Sequence, residues 1–232
     1  MAVRKPPRER QVPSPALTQV IYEGLRKEIT TGRLKPGEAL SRRRIAQRYG
    51  SSYATVIQAL VRLQDVGLVE AESSQMARVR PISVEIIQDT YVLREALETQ
   101  AILLACELAA PEEIDDLFHR AKQVDACAAK RDRRPHPVDP QGPLLHWEFH
   151  KRIAVLSRSP GLLRELERLE IVRRFQANWL YLPDMVDPPH YHSLLVDPIK
   201  DRNPQAAVAA MRGHVRKGLE KELKGYRLKM CD

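Results

Sequence analysis

The chain has 232 residues, 43% of them apolar and 29% charged, which describes a folded protein rather than a disordered one and leaves room for one large domain or two smaller ones. No apolar run approaches the roughly 18–20 residues that cross a bilayer, and the basic start MAVRKPPRER has no apolar stretch behind it, so neither a membrane span nor a secretory signal is expected. The net charge of +8 sits entirely at one end: residues 1–81 hold 15 Lys and Arg against 7 Asp and Glu, whereas residues 82–232 hold 23 of each. A basic head on a neutral body implies two modules, the first suited to a polyanion.

Residues 1–14 read as a basic tail. The first element, LTQVIYEGLRKEITTGRL, places Val20, Ile21, Leu25 and Ile29 at helical spacing and stops at Gly32. KPGEAL is a Pro-Gly turn, and RRRIAQRYG is a short helix stopped by Gly50. Ser51 or Ser52 caps a third helix, YATVIQALVRLQDVG, whose inward face carries Val56, Leu60 and Leu63. LVEAES and ARVRPI are β-prone runs split by SQM. Helix, short helix, turn, helix and a two-stranded hairpin over residues 15–81 predict a winged helix-turn-helix.

The run LRKEITTGRLKPGEAL, IAQRYG, VIQALVRLQDVGLVE resembles the DNA-binding head of GntR-type transcription regulators. The resemblance implies that the third helix enters the major groove, its first residues, Ser51, Ser52, Tyr53, Ala54 and Thr55, nearest the bases. Where that family usually carries two arginines, this chain has Tyr53 and Ile57. Its arginines begin the preceding helix, as Arg42, Arg43 and Arg44, and these are the expected groove or phosphate contacts; a merely solvated charged face is the plainer alternative. In the wing, Gln75 and Arg78 are candidate minor-groove or phosphate contacts. An operator unlike the family's commonest one follows, with a steep salt dependence.

Beyond Pro81 the strand signals end. Six helical segments follow, starting with ISVEIIQDTYVLREALETQAILLACELAA, which Pro111 terminates, and PEEIDDLFHRAKQVDACAAK, with acidic residues in its first turn. A Pro-rich loop precedes LLHWEFHKRIAVLSRS. Next come PGLLRELERLEIVRRFQANWLYL, HYHSLLVDPIKDR and NPQAAVAAMRGHVRKGLEKELKGY. The expected fold is therefore mainly α, with residues 82–232 an all-helical bundle of about six helices.

YVLREALE, the HxxFH of HWEFH, and HxxLVxPI with NPxAA and MxxH resemble the FadR-type effector domain called FCD, closest to its shorter VanR-like branch. In metal-binding members an aspartate and three histidines converge inside the bundle. The resemblance maps the aspartate onto His146 and the histidines onto His150, His192 and His214. His146 and His150 are one turn apart and leave the same helix face. His192 precedes Leu195, Val196 and Ile199, and His214 follows Met211, so each has inward neighbours. Replacing aspartate by His146 raises the charge of a divalent site from +1 to +2. An imidazole-rich shell suits a transition ion, zinc or nickel first, rather than calcium or magnesium.

Arg94 has a family counterpart facing the effector pocket, where it would clamp a carboxylate; an ion pair with Glu98 at i+4 is the structural alternative. His119, His136 and His190 match no ligand position. Trp147, Trp179 and Tyr181 read as core or pocket wall. Glu148 lies two residues past His146, roughly 200° round the helix, which removes it as a metal-site base. Cys106, Cys127 and Cys231 are odd in number without CxxC spacing, which argues against disulfides and for the cytoplasm. The expected protein is a homodimeric regulator, a repressor released from a palindromic operator on double-stranded DNA by a small carboxylate metabolite bound at a metal. It is not expected to be an enzyme. The alternatives are a metal-dependent enzyme acting on a small acid, and a helical domain serving dimerisation only.

Overall fold

The computed structural model describes residues 14–73, 76–131, 141–180, 188 and 190–231. The Pro-rich loop before HWEFH, the loop after Leu180, Gln75 and His136 lie outside these residues. The chain divides into two compact units, Met1–Pro81 and Ile82–Asp232.

In the first unit, α1 (Pro15–Thr30), α2 (Arg42–Tyr49) and α3 (Tyr53–Asp65) are joined by a small sheet. Each helix starts on a serine. Ser14, Ser41 and Ser52 accept from the backbone N–H of Leu17, Arg44 and Thr55 at 3.4, 3.3 and 3.2 Å, and each such cap contributes about 1 kcal/mol. Gly50 ends α2 in the left-handed region at φ 57°, which turns the chain toward α3 without the penalty a side chain would bring. The core is the seam between α1 and α3. Ile21, Leu25 and Ile29 lie with Val56, Leu60 and Leu63, all essentially without exposure, each burial worth roughly 1.5–3 kcal/mol.

The sheet has three strands, not the expected two. β1 (Ala39–Ser41), β2 (Val69–Ala71) and β3 (Met76–Val79) are antiparallel in the order β1-β3-β2. Ala39 pairs with Arg78 and Ser41 with Met76, so the turn after α1 hands a short strand to the wing. Three residues, of which Leu40 alone is buried, are too short to show a period-2 pattern.

The second unit contains six helices among the described residues: α4 (Val84–Leu108), α5 (Pro111–Arg131), α6 (Gln141–Leu156), α7 (Pro160–Leu180), α8 (Ser193–Lys200) and α9 (Pro204–Cys231). α4 is the central rod, packing on α6, α7, α8 and α9, while α5 packs on α6 and α8. Its buried stripe runs Ile87, Tyr91, Arg94, Glu98, Ile102 and Ala105, spaced by three and four. Two of those inward positions are charged, which marks the middle of the bundle as polar. Two boundaries differ from expectation. α6 begins at Gln141, before Pro143, because proline is tolerated in a first turn. α8 begins at Ser193, so His192 is not inside a helix but caps one, and His190 and Tyr191 form a turn.

Candidate metal and effector site, and the DNA-facing surface

Four imidazoles meet where α4, α6, α9 and the turn before α8 converge. α6 supplies His146 and His150, the turn supplies His192 and α9 supplies His214. One ring nitrogen from each lies within 4.8 Å of the others. His150 Nε2 is 3.3 Å from His146 Nε2 and 3.1 Å from His214 Nε2. Ring centroids of His192 are 5.1 Å from both His146 and His214. His150, His192 and His214 are buried, and His146 is half-buried.

Two carboxylates set the rings from behind. Glu98 Oε2 lies 2.6 Å from His150 Nδ1. Asp125, on α5, accepts from the His192 backbone N–H and from His192 Nδ1, both at 2.9 Å, and from the Ser193 N–H and hydroxyl at 3.1 and 2.7 Å. A carboxylate on Nδ1 favours the tautomer with its proton there and leaves Nε2 as a lone pair directed at the centre. Arg94 Nε in turn donates to Glu98 Oε1 at 2.8 Å, and its guanidinium lies 4.7 Å from the Tyr91 ring centroid. Tyr191 stacks on His214 at 4.7 Å, and its hydroxyl donates to the His214 carbonyl at 3.4 Å.

The electrostatics follow from burial. Removal from water, then the neighbouring rings, holds His146 and His214 well below the ordinary imidazole value, so both are neutral near pH 7. Burial alone would raise the Glu98 carboxyl, but Arg94 and His150 outweigh it and keep the group ionised. Asp125 is likewise opposed by burial and brought down to about 2 by the donors of His192 and Ser193.

This donor set fits a metal ion. Imidazole nitrogens crowded at 3.1 and 3.3 Å require a proton or a cation between each pair. Tetrahedral ligands about 2.0–2.1 Å from a zinc ion sit roughly 3.3 Å apart, which the two His150 separations match, while the full set of four spreads to 4.8 Å. A small cavity beside the rings is lined by Arg94, Glu98, His146, His150, Glu170 and Arg173. Arg173 is held by Glu170 at 2.6 and 2.9 Å. Sequence reasoning missed Asp125, Glu170 and Arg173: Asp125 meets its partner across 67 positions, and no local spacing signals that. Glu98 was foreseen only as the ion-pair partner of Arg94. That pair forms, and Arg94 also lines the cavity.

In the head, Ser41, Arg43, Gln47, Ser51, Tyr53 and Met76 line a concave surface between α2, α3 and β3. Arg43 and Arg44 are exposed, and Arg42 is half-buried. Thr55 corrects the sequence expectation. It is buried, and its hydroxyl meets that of the capping Ser52 at 2.7 Å, so the two side chains are spent on each other. Arg78 donates to the Gly37 carbonyl at 2.5 Å and pairs with Glu72, an engagement within the wing.

A basic winged helix in one unit and a helical bundle with a buried polar centre in the other define a class: DNA-binding regulators carrying a ligand-sensing domain. The chain belongs to the GntR family of bacterial regulatory proteins and carries an FCD domain: residues 17–79 match the first family and residues 89–217, more than half of the chain, match the second. It is 25% identical over 189 residues to the transcriptional regulator McbR of Escherichia coli, covering 78% of this chain and 81% of that one. It is 26% identical over 203 residues to the transcriptional repressor GlaR of Escherichia coli, covering 84% and 90%. The E. coli McbR/YncC structure superposes with a TM-score of 0.66 at 21% identity, over 90% of this chain and 98% of that one. A GntR regulator from Rhodococcus sp. RHA1 gives 0.61 at 20% identity, over 91% and 99%. The protein is thus a DNA-binding transcription regulator and not an enzyme. No described helix is long and apolar enough to cross a membrane.

Proposed function

We propose that this regulator is a homodimeric, cytoplasmic repressor that holds a palindromic operator and releases it when a small carboxylate binds at a metal ion in the helical domain. The observation that carries the reading is the meeting of four imidazole nitrogens within 4.8 Å beside a cavity that Arg94 and Arg173 line. His146, His150, His192 and His214 would hold a divalent transition ion, zinc or nickel by the chemistry of an imidazole shell. The bound ion would supply Lewis acidity and positive charge toward an anionic group. The chain's own residues do the rest. Glu98 and Asp125 orient two of the rings, and the burial of His146 and His214 keeps them unprotonated. Arg94 and Arg173, paired with Glu98 and Glu170, place two guanidiniums at the wall of a cavity of about 10 Å³, which takes a carboxylate only when the wall opens.

Repression is inferred from the likeness to the repressor GlaR, which is similar across most of its length. The effector changes operator affinity only by as much as it prefers one arrangement of the protein over the other. The test is a thermal-shift screen of small carboxylic acids on the full chain, with and without chelator, followed by operator-release titration of the hits. The reading expects stabilisers whose effect vanishes with chelator and whose addition frees DNA. Acids that bind equally well after chelation, or none that alter DNA binding, would contradict it and leave the helical domain a dimerisation module.

A further inference from the structure

The outward face of α3 is the surface a winged helix offers to the major groove. On the helical wheel Tyr53, Ala54, Ile57 and Val61 fall within an arc of about 100°, which Gln64 joins only in the last turn of the helix. The buried residues Thr55, Val56, Ala59, Leu60 and Leu63 take the opposite side. Tyr53 is 40% exposed and Val61 45%, while Ala54 and Ile57 are half-exposed. The one basic residue of α3, Arg62, is turned aside: its guanidinium sits 4.2 Å from the Tyr22 ring centroid and donates to Gln19 at 2.7 Å. The positive charge lies on the next helix, with Arg43 and Arg44 exposed at the start of α2 and Arg43 on the same concave surface as Tyr53.

Base reading and phosphate pairing are therefore carried by different helices. A guanidinium forked onto guanine is the commonest specific contact, and the outward arc of α3 has none to offer. The one apolar group in the major groove is the C5-methyl of thymine. An apolar stripe bordered by arginines, on a unit carrying all of the chain's excess positive charge, matches a duplex better than it matches a neutral protein partner. We propose that this head reads its operator through thymine methyl groups, packed against Tyr53, Ala54 and Ile57, with Arg43 and Arg44 anchoring the phosphates. The proposal rests on the family's DNA-binding role and specifies what its reading helix recognises.

The experiment selects binding sites from random duplexes with the full-length protein, then replaces each enriched thymine by deoxyuridine, which removes the methyl group alone. Each contacted methyl should be worth roughly fourfold in affinity, the value of one buried carbon. Ile57→Ala should weaken binding to the thymine site and erase the deoxyuridine effect at one position. Arg43→Ala should retain the deoxyuridine effect while lowering the salt slope by about one contact. Enriched sites that wild-type protein binds equally with deoxyuridine, or that depend on guanine facing α3, overturn the proposal and spare the regulator. Selection that enriches no sequence overturns both.

Discussion

Asp125 does for His192 what Glu98 does for His150. Each puts a carboxylate oxygen on Nδ1, at 2.9 and 2.6 Å, and so turns Nε2 toward the centre. Asp125 also takes three further donors from His192 and Ser193, which fixes the start of α8 on α5. Losing an outer carboxylate of this kind typically weakens a metal site 10–100-fold. Asp125→Ala should therefore lower metal affinity by about that factor, read by competition with a chromophoric chelator, and an unchanged affinity would show that His192 is oriented without it. The meeting of the four imidazoles was readable: HWEFH has the one-turn spacing, and His192 and His214 sit among apolar neighbours. The carboxylates behind them were not, because tertiary partners separated by dozens of residues leave no periodic trace. Thr55 shows the reverse error. A residue at the start of a reading helix looks available, yet the cap beside it consumes its hydroxyl.

Among the described elements, α4 and α9 pack on one another most extensively. Gly218 of α9 faces Tyr91 of α4, where an added Cβ would come within 3.1 Å of the phenol ring and hydroxyl. Tyr91 links Arg94, through its ring face, with the buried Glu222, a carboxyl that burial pushes up from its ordinary value. Gly218→Val should force the ring to move and cost about 1–3 kcal/mol of unfolding free energy, the usual penalty of overpacking. Chemical denaturation followed by helical circular dichroism checks this; a variant as stable as wild type would mean the two helices yield freely. Helix existence was legible from period, and for α3 from its cap, since Ser52 accepts the Thr55 N–H; the caps Ser14 and Ser83 emerged only in the structure. What escaped were β1, only three residues long, and the true start of α8, where His192 adopts helical angles before the helix begins.

For the whole molecule, the structure divides at Pro81, and the chain's excess of basic residues lies on the first side of that division. Each unit answers a separate problem. The head supplies a reading surface, and the bundle buries polar groups at its centre, where an apolar core would be more stable. Such a core holds together when every polar group is satisfied, and four imidazoles with two ionised carboxylates are best satisfied by one cation. Metal content and X-ray absorption of the purified full chain, beside a His150→Ala, His214→Ala double variant, test that claim most directly. One divalent ion per wild-type chain, in a shell of nitrogen ligands at about 2.0–2.1 Å, is expected, with none in the double variant. A wild-type chain without metal, or a double variant that keeps it, would contradict the account.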